Sequence, residues 1–185
     1  MAEIAVEATE VPAQLPKVRV AVLGAGKMGG ILLQAFLKEN LFSPERIHGT
    51  VQHAERALAL STQWGVDVGT DNLKAVEQAD LILIGVKPFQ VASLIAEIKP
   101  ALTPAKTVVS FAASVKTSAI EEAAGMELAV VRAMPNTPSA LGAGVAALCR
   151  GPAASEAVSV RPGAQLSSAR TPGAATVSAV PLAVA

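Results

Sequence analysis

Three glycines, Gly24, Gly26 and Gly29, follow an apolar strand directly and lead straight into a helix-periodic segment, and nothing else in the chain narrows its possible folds as much. The stretch Val18 to Gly29 reads VRVAVLGAGKMG. In a dinucleotide-binding turn the first glycine permits the tight bend from strand to helix. The second lets a pyrophosphate reach the backbone, and the third lets helix and strand pack closely. The helix that follows offers unpaired N–H groups and roughly half a positive charge at its start. A bare G-x-G-x-x-G is weak, since glycine-rich turns arise for many reasons. The flanking strand and helix give it meaning.

The chain has 185 residues, enough for one sizeable core and short for two. Lysine plus arginine and aspartate plus glutamate both number 15. There is then no basic field to hold nucleic acid or an anionic membrane, and a small-molecule partner is expected. Cys149 is the only cysteine, which excludes an intramolecular disulfide and fits a reducing compartment. Its plain reading is a small buried hydrophobe. Residues 1–17 carry Glu3, Glu7, Glu10, Pro12 and Pro16 with no basic start and no sustained apolar run, so they read as a disordered leader without a secretory signal. The apolar run near Leu81 to Val86 is too short to cross a bilayer. A cytoplasmic protein is expected.

From Val18 onward short apolar runs alternate with helical periodicity, the pattern of a parallel sheet wrapped by crossover helices. An α/β, Rossmann-like, doubly wound and mostly parallel sheet over residues 18–150 follows. Met28, Ile31, Leu32, Ala35 and Phe36 predict the buried stripe of the first helix, which Asn40 ends. Ile47 to Val51 is a strand, and a helix from Ala54 to Trp64 turns Ala57, Leu60 and Trp64 inward before Gly65 stops it. Trp64 reads as core rather than as a ligand platform. A short strand at Val66 to Val68 leads to a helix opening near Asp71 and Asn72. Leu81 to Ile84 suits a central strand buried on both faces. Val91, Leu94, Ile95 and Ile98 mark another helix, closed by Pro100, and Thr107 to Phe111 and Ala129 to Ala133 are two further strands.

The tip of the second strand chooses between cofactors, because a carboxylate there binds the adenosine ribose hydroxyl of NAD. Thr50 to Arg56 reads TVQHAER, with no carboxylate at the tip itself. His53 and Arg56 suit a 2′-phosphate instead. NADPH is the expected cofactor, with NADH as the second candidate, although Arg56 as a solvated helix charge and His53 as an incidental helix-start residue would look the same. Two histidines and one cysteine without ligand spacing predict no metal site.

The glycine turn, ILIGVKP at Ile82 to Pro88, SFAAS at Ser110 to Ser114 and VRAMPNTP at Val131 to Pro138 occur in this order. Together they resemble pyrroline-5-carboxylate reductase, over about Val18 to Gly151, with Val86-Lys87-Pro88 and Met134 to Pro138 more specific than the glycine turn. The resemblance implies NAD(P)H-dependent reduction of the cyclic imine L-1-pyrroline-5-carboxylate to L-proline, the last step of proline biosynthesis. It also implies cofactor contacts at Leu23, Gly24, Ala25, Gly26, Lys27 and Met28, near Gln52, at Asn72, at Gly85, Val86, Lys87 and Pro88, and at Ala112 and Ala113. Asn136, in the MPNTP segment, would lie near the nicotinamide. Taken alone, Lys87 could be a surface lysine before a helix, and MPNTP a proline-rigidified turn.

Two departures stand out. Ser114 occupies a place where the family usually has glycine, whose backbone tolerates conformations that serine disfavours. More severely, the family continues into a helical domain that supplies the dimer interface and much of the imine pocket, and makes homo-oligomers. That domain is expected to be missing here, so the chain by itself is expected to be a poor proline-forming catalyst. From Pro152 the composition falls to alanine, valine, serine, proline, glycine and threonine with few charges, and Pro152, Pro162, Pro172 and Pro181 recur too often for long helices. Residues 151–185 therefore read as an aberrant or disordered tail, either natural or, as the abrupt end of the resemblance favours, the product of a reading-frame shift near Gly151. No residue is expected to act as general acid or base, since a protonated imine is already electrophilic. Two other functions compete. One is a non-catalytic NADP-binding fragment. The other is a hydroxyacid dehydrogenase, which would use a base such as a later lysine, yet no lysine follows Lys116.

Overall fold

The computed structural model describes residues 18–135, 144–154 and 176–182. Strand β1 (Val20–Leu23) runs into helix α1 (Lys27–Lys38), followed by β2 (Ile47–Thr50), α2 (Ala54–Trp64), β3 (Asp67–Gly69), α3 (Asn72–Glu77), β4 (Leu81–Ile84) and α4 (Val91–Ile98). Then come β5 (Thr107–Ser110), α5 (Thr117–Ala124), β6 (Ala129–Pro135), β7 (Gly144–Arg150) and β8 (Thr176–Leu182). Among the described residues they form one sheet in the order β3-β2-β1-β4-β5-β6-β7-β8. The first six strands are parallel, and β7 and β8 are added antiparallel. The doubly wound fold expected from the sequence is the fold observed.

Alternation along the strands sends side chains to two cores. Ala21, Leu23, Ile82, Ile84, Val108 and Val130 face one side and pack with residues of α3, α4 and α5. Val20, Val22, Leu83, Val109 and Val131 face the other and meet Leu33 of α1 and Ala57 and Leu60 of α2. Each such Leu, Ile or Val contributes about 1.5–3 kcal/mol by leaving water. Ile82, Leu83 and Ile84 are all buried, as a central parallel strand requires, and Val91, Leu94, Ile95 and Ile98 all face inward.

Helix ends follow their sequence signals. α1 closes with Asn40 at φ 52°, while the Asn40 N–H donates to Leu37 O and the Leu41 N–H to Phe36 O. This is the paired closure that a left-handed residue makes possible. Gly65 ends α2 in the same left-handed region. Asp71 caps α3 by accepting the Lys74 N–H at 3.0 Å. At the other end of α3 the Lys106 ammonium donates to the carbonyls of Val76, Glu77 and Ala79 at 2.8, 3.2 and 2.6 Å, so a cation sits at the negative helix terminus.

Some expectations are corrected. The buried residues of α1 are Gly29, Gly30, Leu32, Leu33 and Ala35, whereas Met28 is 37% exposed and Ile31 and Phe36 are half-buried. Leu32 and Ala35 are buried as predicted, but Gly29, Gly30 and Leu33 join them in place of Met28, Ile31 and Phe36, because the glycines allow a closer approach and so rotate the buried face. Cys149 is half-buried rather than buried. Within the segment read as a tail, Thr176–Leu182 is a strand antiparallel to β7. The predicted leader, residues 1–17, and the rest of the tail from residue 155 lie outside the described residues. No helix among the described residues is long and apolar enough to cross a membrane.

Ser114 has φ 64°, the left-handed region that costs a non-glycine residue roughly 1–2 kcal/mol. Ser114→Gly should therefore stabilise the chain by about 0.5–1 kcal/mol after glycine's own entropy is counted, raising the thermal midpoint by about 1–4 °C in a calorimetric scan. Glu121 supplies a second expectation. One of its carboxylate oxygens is buried without a hydrogen-bond partner among the described residues, against Gly151, and burial raises its pKa. A carboxyl raised on folding favours the folded state below its ordinary pKa, and that contribution is lost as pH rises through the raised value. Glu121→Gln should then be more stable than the parent at pH 7, with the difference shrinking toward pH 4. Denaturant titrations of both chains at the two pH values measure it.

Candidate functional site

The parallel register brings the carboxyl ends of the strands to one rim. Leu23 is paired with Thr50 and with Ile84, Ile84 with Ser110, and Ser110 with Arg132. The residues just beyond, Gly24, Gln52, Gly85 and Ala112, therefore share one edge. Strand order reverses between β1 and β4, and in open α/β sheets the crevice at such a switch point is where ligands bind.

Three backbones meet in that crevice. Gly24 has φ +83°, and a Cβ built on it would stand 2.7 Å from Val86 Cγ1. One on Gly29 would overlap the carbonyl oxygen of Gly24, and one on Gly85 would fall 2.9 Å from that same oxygen and 3.1 Å from Gly29 Cα. Gly85, expected from the resemblance to touch cofactor, is thus also a packing glycine; its N–H donates to Leu23 O at 2.8 Å. Gly26 differs from its neighbours. Among the described residues a Cβ there meets no atom within 4 Å, so no neighbouring atom demands the glycine, and space is left open at the start of α1. That helix start has no side-chain cap and no acidic residue in its first turn. Gly26, Lys27 and Met28 are exposed around it. An open glycine beside uncapped N–H groups suits a diphosphate.

The remaining predicted residues divide by burial. Leu23 and Ala25 have no exposed surface; Ala25 donates its N–H to Thr50 O at 2.7 Å, so its side chain belongs to the core. Gln52, His53 and Arg56 are exposed at the tip of β2 and the first turn of α2, with His53 as its N-cap. Val86 is half-buried, and Lys87 and Pro88 are exposed past the end of β4. The Lys87 ammonium lies 6.0 Å from the ring centroid of Phe89. Ala112 is buried and Ala113 exposed at the end of β5, the Ala112 N–H donating to Ser110 Oγ at 3.3 Å. Asn136 lies outside the described residues. Trp64, half-buried, packs its ring edge against Gly30 and lies against the core on that face, at its margin rather than within it. His48 pairs with Asp67 at 2.8 Å beside an open hollow of about 150 Å³. That hollow is at the amino ends of the strands, away from the rim.

Thr50, Glu97 and Phe89 are absent from the sequence reading of the site. Thr50 is 1% exposed and takes the Gly24 N–H on both its carbonyl, at 3.1 Å, and its hydroxyl, at 3.3 Å. Asn72 joins it at 2.6 Å and reaches Glu97 in turn. Phe89 is 78% exposed. An unusually exposed aromatic cannot be told from a core one by sequence pattern, and the partners of Thr50 are distant in the chain.

Residues 19–114 match the family described as NADP oxidoreductase, coenzyme F420-dependent. The chain is 35% identical over 135 residues to a pyrroline-5-carboxylate reductase of Corynebacterium melassecola, covering 71% of this chain and 50% of the relative. A pyrroline-5-carboxylate reductase of Methanosarcina acetivorans is 35% identical over 118 residues, 64% of this chain and 44% of the relative. The solved pyrroline-5-carboxylate reductase of Coxiella burnetii superposes with a TM-score of 0.70 at 30% identity, covering 76% of this chain and 52% of that one. The chain thus spans about half the length of the curated relatives it matches.

The contrast between two glycines is testable. Gly26→Ala should weaken NADPH binding about tenfold or more, because its methyl group fills the open space at the start of α1. Gly29→Ala forces the Gly24 carbonyl to move, and overpacking of this kind costs about 1–3 kcal/mol. It should lower the midpoint before any cofactor is added. Paired melting curves and calorimetric titrations separate the two effects.

Proposed function

As the chain belongs to the family of NADP oxidoreductases, coenzyme F420-dependent, we propose that its rim holds a nicotinamide dinucleotide, NADPH in preference to NADH. We propose further that the chain serves the reduction of L-1-pyrroline-5-carboxylate to L-proline. The likeness of 35% over 135 residues to a relative of that name carries the reading, since it extends well beyond a glycine turn and one strand-helix-strand unit. A solved pyrroline carboxylate reductase of Plasmodium falciparum with NADP bound shares the fold, with a TM-score of 0.67 at 23% identity.

The residues present fit such a cofactor. The open side of Gly26 and the uncapped start of α1 receive the diphosphate. His53 and Arg56 stand at the tip of β2 for a 2′-phosphate, where a guanidinium is well matched to phosphate oxygens. Lys87 places a cation on the neighbouring edge of the crevice. When bound, the nicotinamide supplies hydride to the imine carbon, and the ring nitrogen ends protonated. The chain's own work is orientation and binding, so no general acid or base is assigned among the described residues. The imine substrate and a cytoplasmic setting are parts of the same reading.

The whole chain is tested by following NADPH consumption with and without pyrroline-5-carboxylate. Consumption only when the imine is added supports the reading. NADPH binding without turnover would leave a cofactor-binding chain, and preferential turnover of a 2-hydroxy acid would move it to the dehydrogenases. Cofactor choice has its own expectation. If Arg56 pairs with the 2′-phosphate, Arg56→Ala removes a charge-assisted hydrogen bond worth about 1.5 kcal/mol or more. Preference for NADPH over NADH should narrow about tenfold, with NADH affinity nearly unchanged in parallel titrations.

A further inference from the structure

A chain of hydrogen bonds leaves the glycine turn sideways and ends on a residue outside the expected site. The Gly24 N–H is 3.3 Å from Thr50 Oγ, and Thr50 Oγ is 2.6 Å from Asn72 Oδ1. Asn72 Nδ2 lies 3.0 and 3.2 Å from the two carboxylate oxygens of Glu97 on α4. The Glu97 end sets every direction along it. An ionised carboxylate only accepts, so it must face the amino side of the Asn72 amide. That turns Oδ1 to Thr50; Oδ1 also only accepts, so the Thr50 hydroxyl must donate to it. The lone pairs of Thr50 Oγ are then free for the Gly24 N–H. Without Glu97 the amide could turn over, because a hydroxyl can accept as readily as donate.

We propose that Glu97 is a positioning residue for cofactor binding, holding the Asn72 amide in one orientation and, through Thr50, the first peptide of the glycine turn. The proposal rests on the reading that this rim binds NADPH. Thr50 is buried, Asn72 half-buried and Glu97 exposed, so the chain runs from the core of the turn to the surface of α4. It links residues 22 and 25 positions apart. A carboxylate at the outer end keeps its single acceptor character while remaining solvated, which avoids the cost of burying a charge.

The test uses the full chain with Glu97→Ala, Glu97→Gln, Asn72→Ala and the double variant Glu97→Ala with Asn72→Ala. Calorimetric titration gives NADPH affinity, and nuclear magnetic resonance without cofactor gives the Asn72 side-chain amide and Gly24 backbone amide signals. Glu97→Ala should weaken NADPH binding about three- to tenfold and move both signals. Glu97→Gln, whose amide can donate as well as accept and so no longer dictates the direction, should bind NADPH with an affinity between those of the parent and Glu97→Ala. In the Asn72→Ala background the loss from Glu97→Ala should vanish. Unchanged affinity in Glu97→Ala, or an equal loss in both backgrounds, overturns the proposal while leaving the cofactor reading intact. A parent chain that does not bind NADPH sinks that reading instead. The two amide signals then decide the orientation alone, supporting it if both move in Glu97→Ala and overturning it if either stays.

Discussion

The contact among Gly24, Gly29 and Gly85 is the constraint on which the rest depends. Three backbones from β1, α1 and the end of β4 occupy a space that admits no Cβ at any of the three positions. The contact seats α1 low across the switch point of the sheet and leaves the first N–H groups of α1 at the rim. It also explains why Gly24 must take a left-handed backbone: the chain has to reverse from strand to helix while its carbonyl lies against two other main chains. Thr50 secures the bend from the side of β2, accepting from both Gly24 and Ala25.

Much of this was legible from sequence because the signals are local. The strand-turn-helix unit, the apolar run of Leu81 to Ile84, the stop at Gly65 and the period of Val91 to Ile98 all lie within a few residues of what they determine. The face of α1 was not legible in the same way. Hydrophobic periodicity points to large residues, whereas the helix lies on Gly29 and Gly30, and close approach outweighs side-chain area there. The two roles of glycine in one motif were likewise indistinguishable in sequence. Gly29 is required by neighbouring atoms, whereas a Cβ on Gly26 would meet none among the described residues, a difference that only the surrounding backbone reveals.

The site residues divide along the same line. Gln52, His53, Arg56 and Lys87 sit on the rim as the strand ends predict, because parallel register carries every strand to a common edge. The roles of Thr50 and Glu97 are not legible in sequence because their bonds join distant parts of the chain, and a threonine at a strand end or a glutamate on an exposed helix face is common. Ser114 was noticed for its residue type, and its backbone angle supplies the physical reason. On the far side of the sheet, β7 and β8 run antiparallel to β6 and so carry the sheet past its parallel, helix-covered part.

The packing of Trp64 on Gly30 has an optical consequence. It is the chain's only tryptophan, its indole N–H is buried without a partner among the described residues, and its ring edge rests against the helix whose start faces the crevice. An indole in such apolar surroundings emits toward the blue, and its emission shifts when the neighbouring wall moves or admits water. The intrinsic fluorescence of this chain is therefore a readout of one place, the seam between α1 and α2, and reports on the seat of the glycine turn without any added label.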